Sequence, residues 1–242
     1  MEFATMAILR AKSAVLDAAL KILIYGNSGS GKTFLAATAP KPCFILTEIQ
    51  AIPSISASNP EALIYPCNNA NDLREAIRQA REGKIEGESF DTLVIDSLTE
   101  AQRILKDEIS SKSRKQDFTL QDWGRLAENM RGLIRAIRDL PCAVVCTALM
   151  EDQPEEQTGV RHIFPLFYGK KTKSEIAQWF TIIGCLYRRD VKGADGKGIA
   201  QRNLMFDGAD HILCKGAFPL QGVVKDPNLS EIISSIRNHR KQ

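Results

Sequence analysis

At 242 residues, with a net charge of +3, 44% hydrophobic and 25% charged residues, the chain has the makeup of one globular α/β domain with a modest addition. That charge is too small to imply a nucleic-acid partner by itself, no apolar stretch reaches a membrane span, and no charged-then-apolar leader opens the chain. Of six cysteines, Cys142 and Cys146 lie close together, but no second Cys/His pair sits nearby to complete a zinc site, so buried reduced thiols and a cytoplasmic setting are expected.

Met1-Glu2-Phe3-Ala4-Thr5 precedes a second methionine, Met6, an alternative start. Residues 1–20 read as an N-terminal segment, 21–225 as the main domain and 226–242 as a C-terminal helix or tail. Ile22-Leu23-Ile24-Tyr25 is a candidate buried strand. It leads into Gly26-Asn27-Ser28-Gly29-Ser30-Gly31-Lys32-Thr33, a complete G-x-x-x-x-G-K-[ST] loop, and Phe34-Leu35-Ala36-Ala37 continues as a helix. In that context backbone N–H groups converge on phosphate oxygens and the helix N-terminus points at the same place. The loop is expected to hold ATP, with Lys32 reaching the β- and γ-phosphates and the Thr33 hydroxyl ligating Mg²⁺.

Further apolar runs of strand length fall at 42–46, 62–65, 92–95, 142–147, 181–187, 202–206 and 211–214. Between them, Asn71 can cap a helix to about Arg81, with Leu73, Ala76, Ile77 and Ala80 at helical spacing and Gly83 closing it. A second helix is predicted from Leu120 to Asp139, where Trp123, Leu126, Ala127, Met130, Leu133, Ile134 and Ile137 form one stripe. The alternation predicts an α/β fold: a mostly parallel central sheet flanked by helices. The polar, glycine-rich stretch between 181–187 and 202–206 predicts a closing antiparallel hairpin.

Thr92-Leu93-Val94-Ile95-Asp96-Ser97 reads as a buried strand ending in an acid, the position from which Asp96 would hold Mg²⁺ beside Thr33. Hydrolysis also needs a group to orient and deprotonate water. Ser97 occupies the place directly after Asp96, so another strand must supply that group. Phe44-Ile45-Leu46-Thr47-Glu48 ends in a carboxylate that a parallel sheet would bring to the same rim. Glu48 is thus the candidate base, Glu100 its rival, and Thr147 a candidate γ-phosphate sensor.

Together these features resemble the RecA-like P-loop ATPases, in particular compact phage-encoded AAA-type nucleotide-binding proteins related to the RecA and RadA recombinases. The matching pieces are Gly26–Thr33, Thr47-Glu48, Leu93–Ser97, Cys146-Thr147-Ala148 and Tyr168-Gly169-Lys170-Lys171, followed by the hairpin. The sequence departs from that pattern at Leu149, where a histidine is common, and at Cys214-Lys215-Gly216, where a lysine-arginine pair is common. The resemblance implies Glu48 as the activator of water, Lys215 as a basic residue reaching a neighbouring subunit's γ-phosphate, and an Mg²⁺-dependent ATPase working as a homo-oligomer.

It also implies two loops that bind single-stranded DNA. One is Ser110–Gln116, carrying Lys112, Arg114 and Lys115. The other is the segment Glu151–Lys173, carrying Lys170, Lys171 and Lys173, with His162, Phe164, Phe167 and Tyr168 suited to base stacking. The expected role is phage-type recombination or single-strand annealing in a bacterial cytoplasm, with a single-strand-binding protein as a further partner. Two other readings share the phosphate loop. One is a small nucleotide or metabolite kinase, whose arginine lid would come from the helix arginines 125–138. The other is an ATP-gated assembly adaptor with weak turnover.

Overall fold

The computed structural model describes residues 20–113, 117–155, 158–192, 198–216 and 220–239. The first half runs β1 (Lys21–Gly26), α1 (Lys32–Ala36), β2 (Pro42–Leu46), a 3-10 turn (Ile49–Ala51), α2 (Ile52–Ser58), β3 (Leu63–Pro66), α3 (Ala70–Ala80), β4 (Lys84–Ile85), β5 (Glu88–Ser89) and β6 (Thr92–Asp96). There follow α4 (Leu98–Ser113), α5 (Leu120–Arg138), β7 (Ala143–Pro154), β8 (Arg161–Pro165), α6 (Lys170–Trp179), β9 (Ile182–Lys192), β10 (Gly198–Met205), β11 (Val223–Lys225) and α7 (Leu229–His239).

The main sheet has the order β11-β10-β9-β1-β7-β6-β2-β3, with β8 attached to β7. From β9 to β3 every neighbouring pair is parallel, whereas β10 and β11 extend the sheet antiparallel. The expected mostly parallel sheet with an antiparallel C-terminal extension is therefore the fold observed. The strands at its centre are apolar throughout because both faces are covered. Leu23, Tyr25, Ile45, Leu93, Ile95 and Cys146 pack beneath α3, α4 and α5. Their alternating neighbours Ile22, Ile24, Phe44, Val94 and Val145 pack against α1 and α7. α7 is held by Thr38, whose hydroxyl accepts from Leu229 N–H at 2.8 Å and whose carbonyl accepts from Ser230 N–H at 3.1 Å.

Several expected boundaries move. α3 starts one residue before Asn71, and its cap is Asn69, whose side chain accepts from the N–H groups of Asn71 and Asp72 at 2.9 and 3.1 Å. Such a cap stabilises a helix by about 1 kcal/mol. β7 does not stop at Thr147. It runs on to Pro154 and pairs antiparallel with β8, Met150 opposite Pro165 through Pro154 opposite Arg161. Among the described residues, the segment Glu151–Lys173 is therefore mostly hairpin and helix, not one long loop. Ser110–Ser113 belong to α4, while Arg114, Lys115 and Gln116 lie outside the described residues.

The run 211–214 is no strand either. It is pinned by single bridges at Ile212 and Lys215 and by Tyr25, whose hydroxyl donates to Leu213 O at 2.9 Å. All six cysteines are free thiols. Among the described residues no helix is long and apolar enough to cross a membrane. Of the expected N-terminal segment, only Leu20 lies among the described residues.

Candidate functional site

The parallel strands present their C-terminal ends on one rim, and the order of the chain reverses at β1: β2 lies to one side of it and β9 to the other. Ligands of open α/β sheets sit at such a crevice. The glycine-rich loop leaves β1 there. A Cβ at Gly26 would lie 2.2 Å from Leu186 O on β9, so only glycine permits this closeness. Gly29 and Gly31 have φ of +74° and +98°, left-handed conformations costly for other residues. α1 covers just five residues and no side chain caps it. Anion binding here thus rests on the loop's own N–H groups more than on a helix macrodipole.

Lys32 is buried beneath the loop, its Nζ donating to Gly26 O at 2.9 Å and Asn27 O at 2.8 Å. Burial lowers the pKa of its ammonium, while Asp96 and then Glu48 raise it. The Ser30 hydroxyl is buried without a hydrogen-bond partner.

Strand register gathers the other groups. Ile95 pairs with Cys146 and Asp96 with Leu46, which sets Asp96 beside Thr147 and just below Glu48. Asp96 is buried at the end of β6. Its Oδ2 accepts from the Thr33 hydroxyl at 2.7 Å, and its Oδ1 accepts from the Thr147 hydroxyl. Thr47 donates from both N–H and hydroxyl to the Asp96 carbonyl, each at 2.9 Å, and its hydroxyl accepts from Ser97 N–H. The ends of β2 and β6, the middle of β7 and the start of α1 are thereby tied through one residue, Asp96: its carboxylate holds Thr33 and Thr147, and its main-chain carbonyl holds Thr47.

Glu48 stands exposed at the mouth of this rim. Desolvation raises its carboxyl pKa above the ordinary range; Glu100 and Asp96 add to the rise, and Arg103 and Lys32 oppose it. Glu100 is engaged by Arg103 at 2.9 Å, and Arg103 also donates to the Tyr168 hydroxyl at 3.3 Å. Lys32, Thr33, Asp96 and Glu48 line a common cleft of about 280 Å³, at the small end for ligand sites. A groove of about 380 Å³ between α3 and α5 contains none of the expected site residues.

The same cleft is lined by Arg188 of β9 and Arg202 of β10, which sequence reasoning missed. The expected hairpin forms, but the facing pair is visible only once its register is known. None of the helix arginines considered for a lid, Arg125, Arg131, Arg135 and Arg138, lines this cleft, and three of them are paired elsewhere: Arg125 with Asp122, Arg131 with Glu175 and Arg138 with Asp139.

Lys215 is not brought to the cleft. It bridges Ile183, which pairs with Leu23 near the start of β1, and its Nζ donates to Phe180 O at 2.7 Å and Ala177 O at 3.2 Å. Lys112 pairs with Glu108 at 2.9 Å, Lys173 donates to Glu151 at 2.7 Å, and Lys170 and Lys171 open α6. Of the aromatics expected to stack on bases, Phe167 is fully buried core. Tyr168 lies 5.4 Å from the Lys106 ammonium, and His162 stacks on Phe164 at 5.8 Å.

No curated protein matches the chain. A family model described as an AAA domain matches residues 18–218, which include this rim and every strand of the main sheet except β11. The chain therefore belongs to the AAA-domain family and is a nucleotide-binding P-loop ATPase.

Proposed function

We propose that the chain is an Mg²⁺-dependent ATPase that uses Glu48 as its general base and couples turnover to single-stranded DNA as an oligomer. The observation that carries the catalytic part is the convergence of Lys32, Thr33, Asp96 and Glu48 on one cleft. The oxygen donors of Thr33 and Asp96 suit Mg²⁺. Among the described residues no cluster of three or more His, Cys, Asp or Glu could hold a metal alone, so phosphate oxygens and water would complete its shell. The unpartnered Ser30 hydroxyl likewise fits a loop that awaits an anion. Thr33 and Asp96 would hold the Mg²⁺, and the ion would supply countercharge to the phosphate oxygens.

Lys32 supplies a buried positive charge to the same oxygens once it exchanges the Gly26 and Asn27 carbonyls for them. Glu48 accepts a proton from water while the water oxygen bonds to the γ-phosphorus. The bond from that phosphorus to the bridging oxygen breaks, leaving ADP and phosphate. A raised carboxyl pKa makes Glu48 a stronger proton acceptor than an ordinary glutamate, and among the described residues it makes no ion pair of the kind that binds Glu100 to Arg103.

The DNA-coupled reading, with a place among RecA-related phage proteins, draws on the strand order β9-β1-β7-β6-β2 and the basic residues Lys112 and Lys173. Their partners Glu108 and Glu151 hold them in ion pairs that exchange readily for phosphates where exposed. The test is turnover with and without single-stranded DNA, set against a panel of phosphoryl acceptors. DNA-stimulated phosphate release to water supports the proposal; phosphoryl transfer to an acceptor supports a kinase instead.

A further inference from the structure

We infer that Arg188 and Arg202, facing each other on the β9–β10 hairpin, grip the phosphate chain of the bound nucleotide from within the same subunit. This rests on the nucleotide-binding reading of the loop and adds a second wall to it. On the hairpin, Leu204 pairs with Leu186 and, two residues outward on the same face, Arg202 pairs with Arg188. The leucine pair is buried in the core beside α1. The arginine pair continues that row past the edge of the core and over the glycine-rich loop, where both residues line the cleft.

Two cations directly opposite each other across antiparallel strands repel, and no ion pair relieves either one among the described residues. Asp226, the acid beside Arg202, is used on the backbone: its carboxylate accepts from Arg202 N–H at 3.2 Å, and its own N–H donates to Arg202 O at 2.7 Å. The guanidinium is instead fixed by packing. It lies 4.6 Å from the Phe34 ring centroid, a cation–π contact, and a side chain at Gly31 would meet its Nε at 2.6 Å. That Nε is buried and without a hydrogen-bond partner. A rigid, stacked guanidinium with an unused donor suits the planar oxygen edge of a phosphate. Asp96 and Thr33 approach from the metal side of the cleft, so the arginines and Lys32 supply the positive charge that a polyphosphate requires.

The experiment is equilibrium displacement of a fluorescent ATP analogue by ATP and by inorganic tripolyphosphate. It compares wild type, Arg188→Gln, Arg202→Gln, Arg202→Lys and Lys32→Ala, with thermal melts to show that each variant is folded. Arg188 is exposed, so its variant keeps the core intact, and Arg202→Lys keeps an apolar stem against Phe34. Each glutamine variant is expected to lose about tenfold or more in affinity for both ligands, as when a charge-assisted hydrogen bond is removed. Arg202→Lys should recover only part, because a point charge lacks the fork. Wild-type affinities in both glutamine variants, with Lys32→Ala impaired, would overturn the arginine assignment and leave the loop reading standing. Weakened ATP binding with unchanged tripolyphosphate binding would overturn it too, by assigning the arginines to the nucleoside. Failure of wild type to bind either ligand would instead remove the reading beneath it.

Discussion

Thr147→Val tests how the rim is held together. The Thr147 hydroxyl is buried and donates to Asp96 Oδ1, while Thr33 occupies Oδ2. Valine fills nearly the same space, so the change removes the donor and leaves little cavity. A hydrogen bond to a charged group contributes about 1.5–3 kcal/mol, and the Asp96 carboxylate is left half-satisfied in a buried place. For a domain of this size 1 kcal/mol corresponds to about 2–4 °C, so the ligand-free Tm should fall by about 3–12 °C. Asp96 also loses the partner that fixes its orientation, and the Mg²⁺ concentration for half-maximal turnover should rise about tenfold or more. Calorimetry of the free protein and an Mg²⁺ titration at saturating ATP measure the two effects, and Thr147→Ser should restore most of both. If Thr147 serves only to sense the γ-phosphate, the free protein will melt like wild type and ATP affinity alone will fall. That result would refute the reasoning.

Three more expectations concern Glu48, the basic segments and Lys215. Glu48 acts deprotonated and its pKa is raised, so turnover should fall as pH drops through a value above the ordinary glutamate value of about 4.3; this acid limb should disappear in Glu48→Gln. A pH–rate profile with no limb above the ordinary range would count against the base assignment. Neutralising Lys112, Arg114 and Lys115 together, or Lys170, Lys171 and Lys173, should weaken single-stranded DNA binding and flatten its logarithmic salt slope by about 0.7 for each DNA phosphate no longer neutralised. Unchanged DNA affinity in both triple variants would remove the DNA reading. Action of Lys215 on a neighbouring subunit requires its ammonium to leave the Ala177 and Phe180 carbonyls. Lys215→Ala should then bind ATP, hydrolyse it poorly, and regain activity when mixed with Glu48→Gln; no rescue in proven mixed oligomers would end that role.

What the sequence made legible were features whose chemistry needs fixed spacing or full burial. The loop Gly26–Thr33 has one workable arrangement of glycines and lysine, and β6 announces itself because both its faces are covered. The extension of β7 past Thr147 was hidden because Glu151 to Pro154 lie beyond the core and are held by β8 pairing, not by burial. Asn69 and Asn71 are equally good caps by composition, and only the turn's φ and ψ choose between them. Phe167 reads as a stacking residue in a basic stretch, yet the turn between β8 and α6 folds it into the core. Arg188 and Arg202 are fourteen positions apart in the sequence. Their meeting depends on hairpin register, which neither strand carries by itself.

Hydrolysis by Glu48→Gln and Glu100→Gln, measured beside wild type at saturating Mg²⁺-ATP with single-stranded DNA present, tests the catalytic claim most directly. The cleft geometry predicts that Glu48→Gln binds ATP normally but turns over about 10²-fold or more slowly, while Glu100→Gln keeps most of its rate. Turnover lost in Glu100→Gln and retained in Glu48→Gln would contradict it.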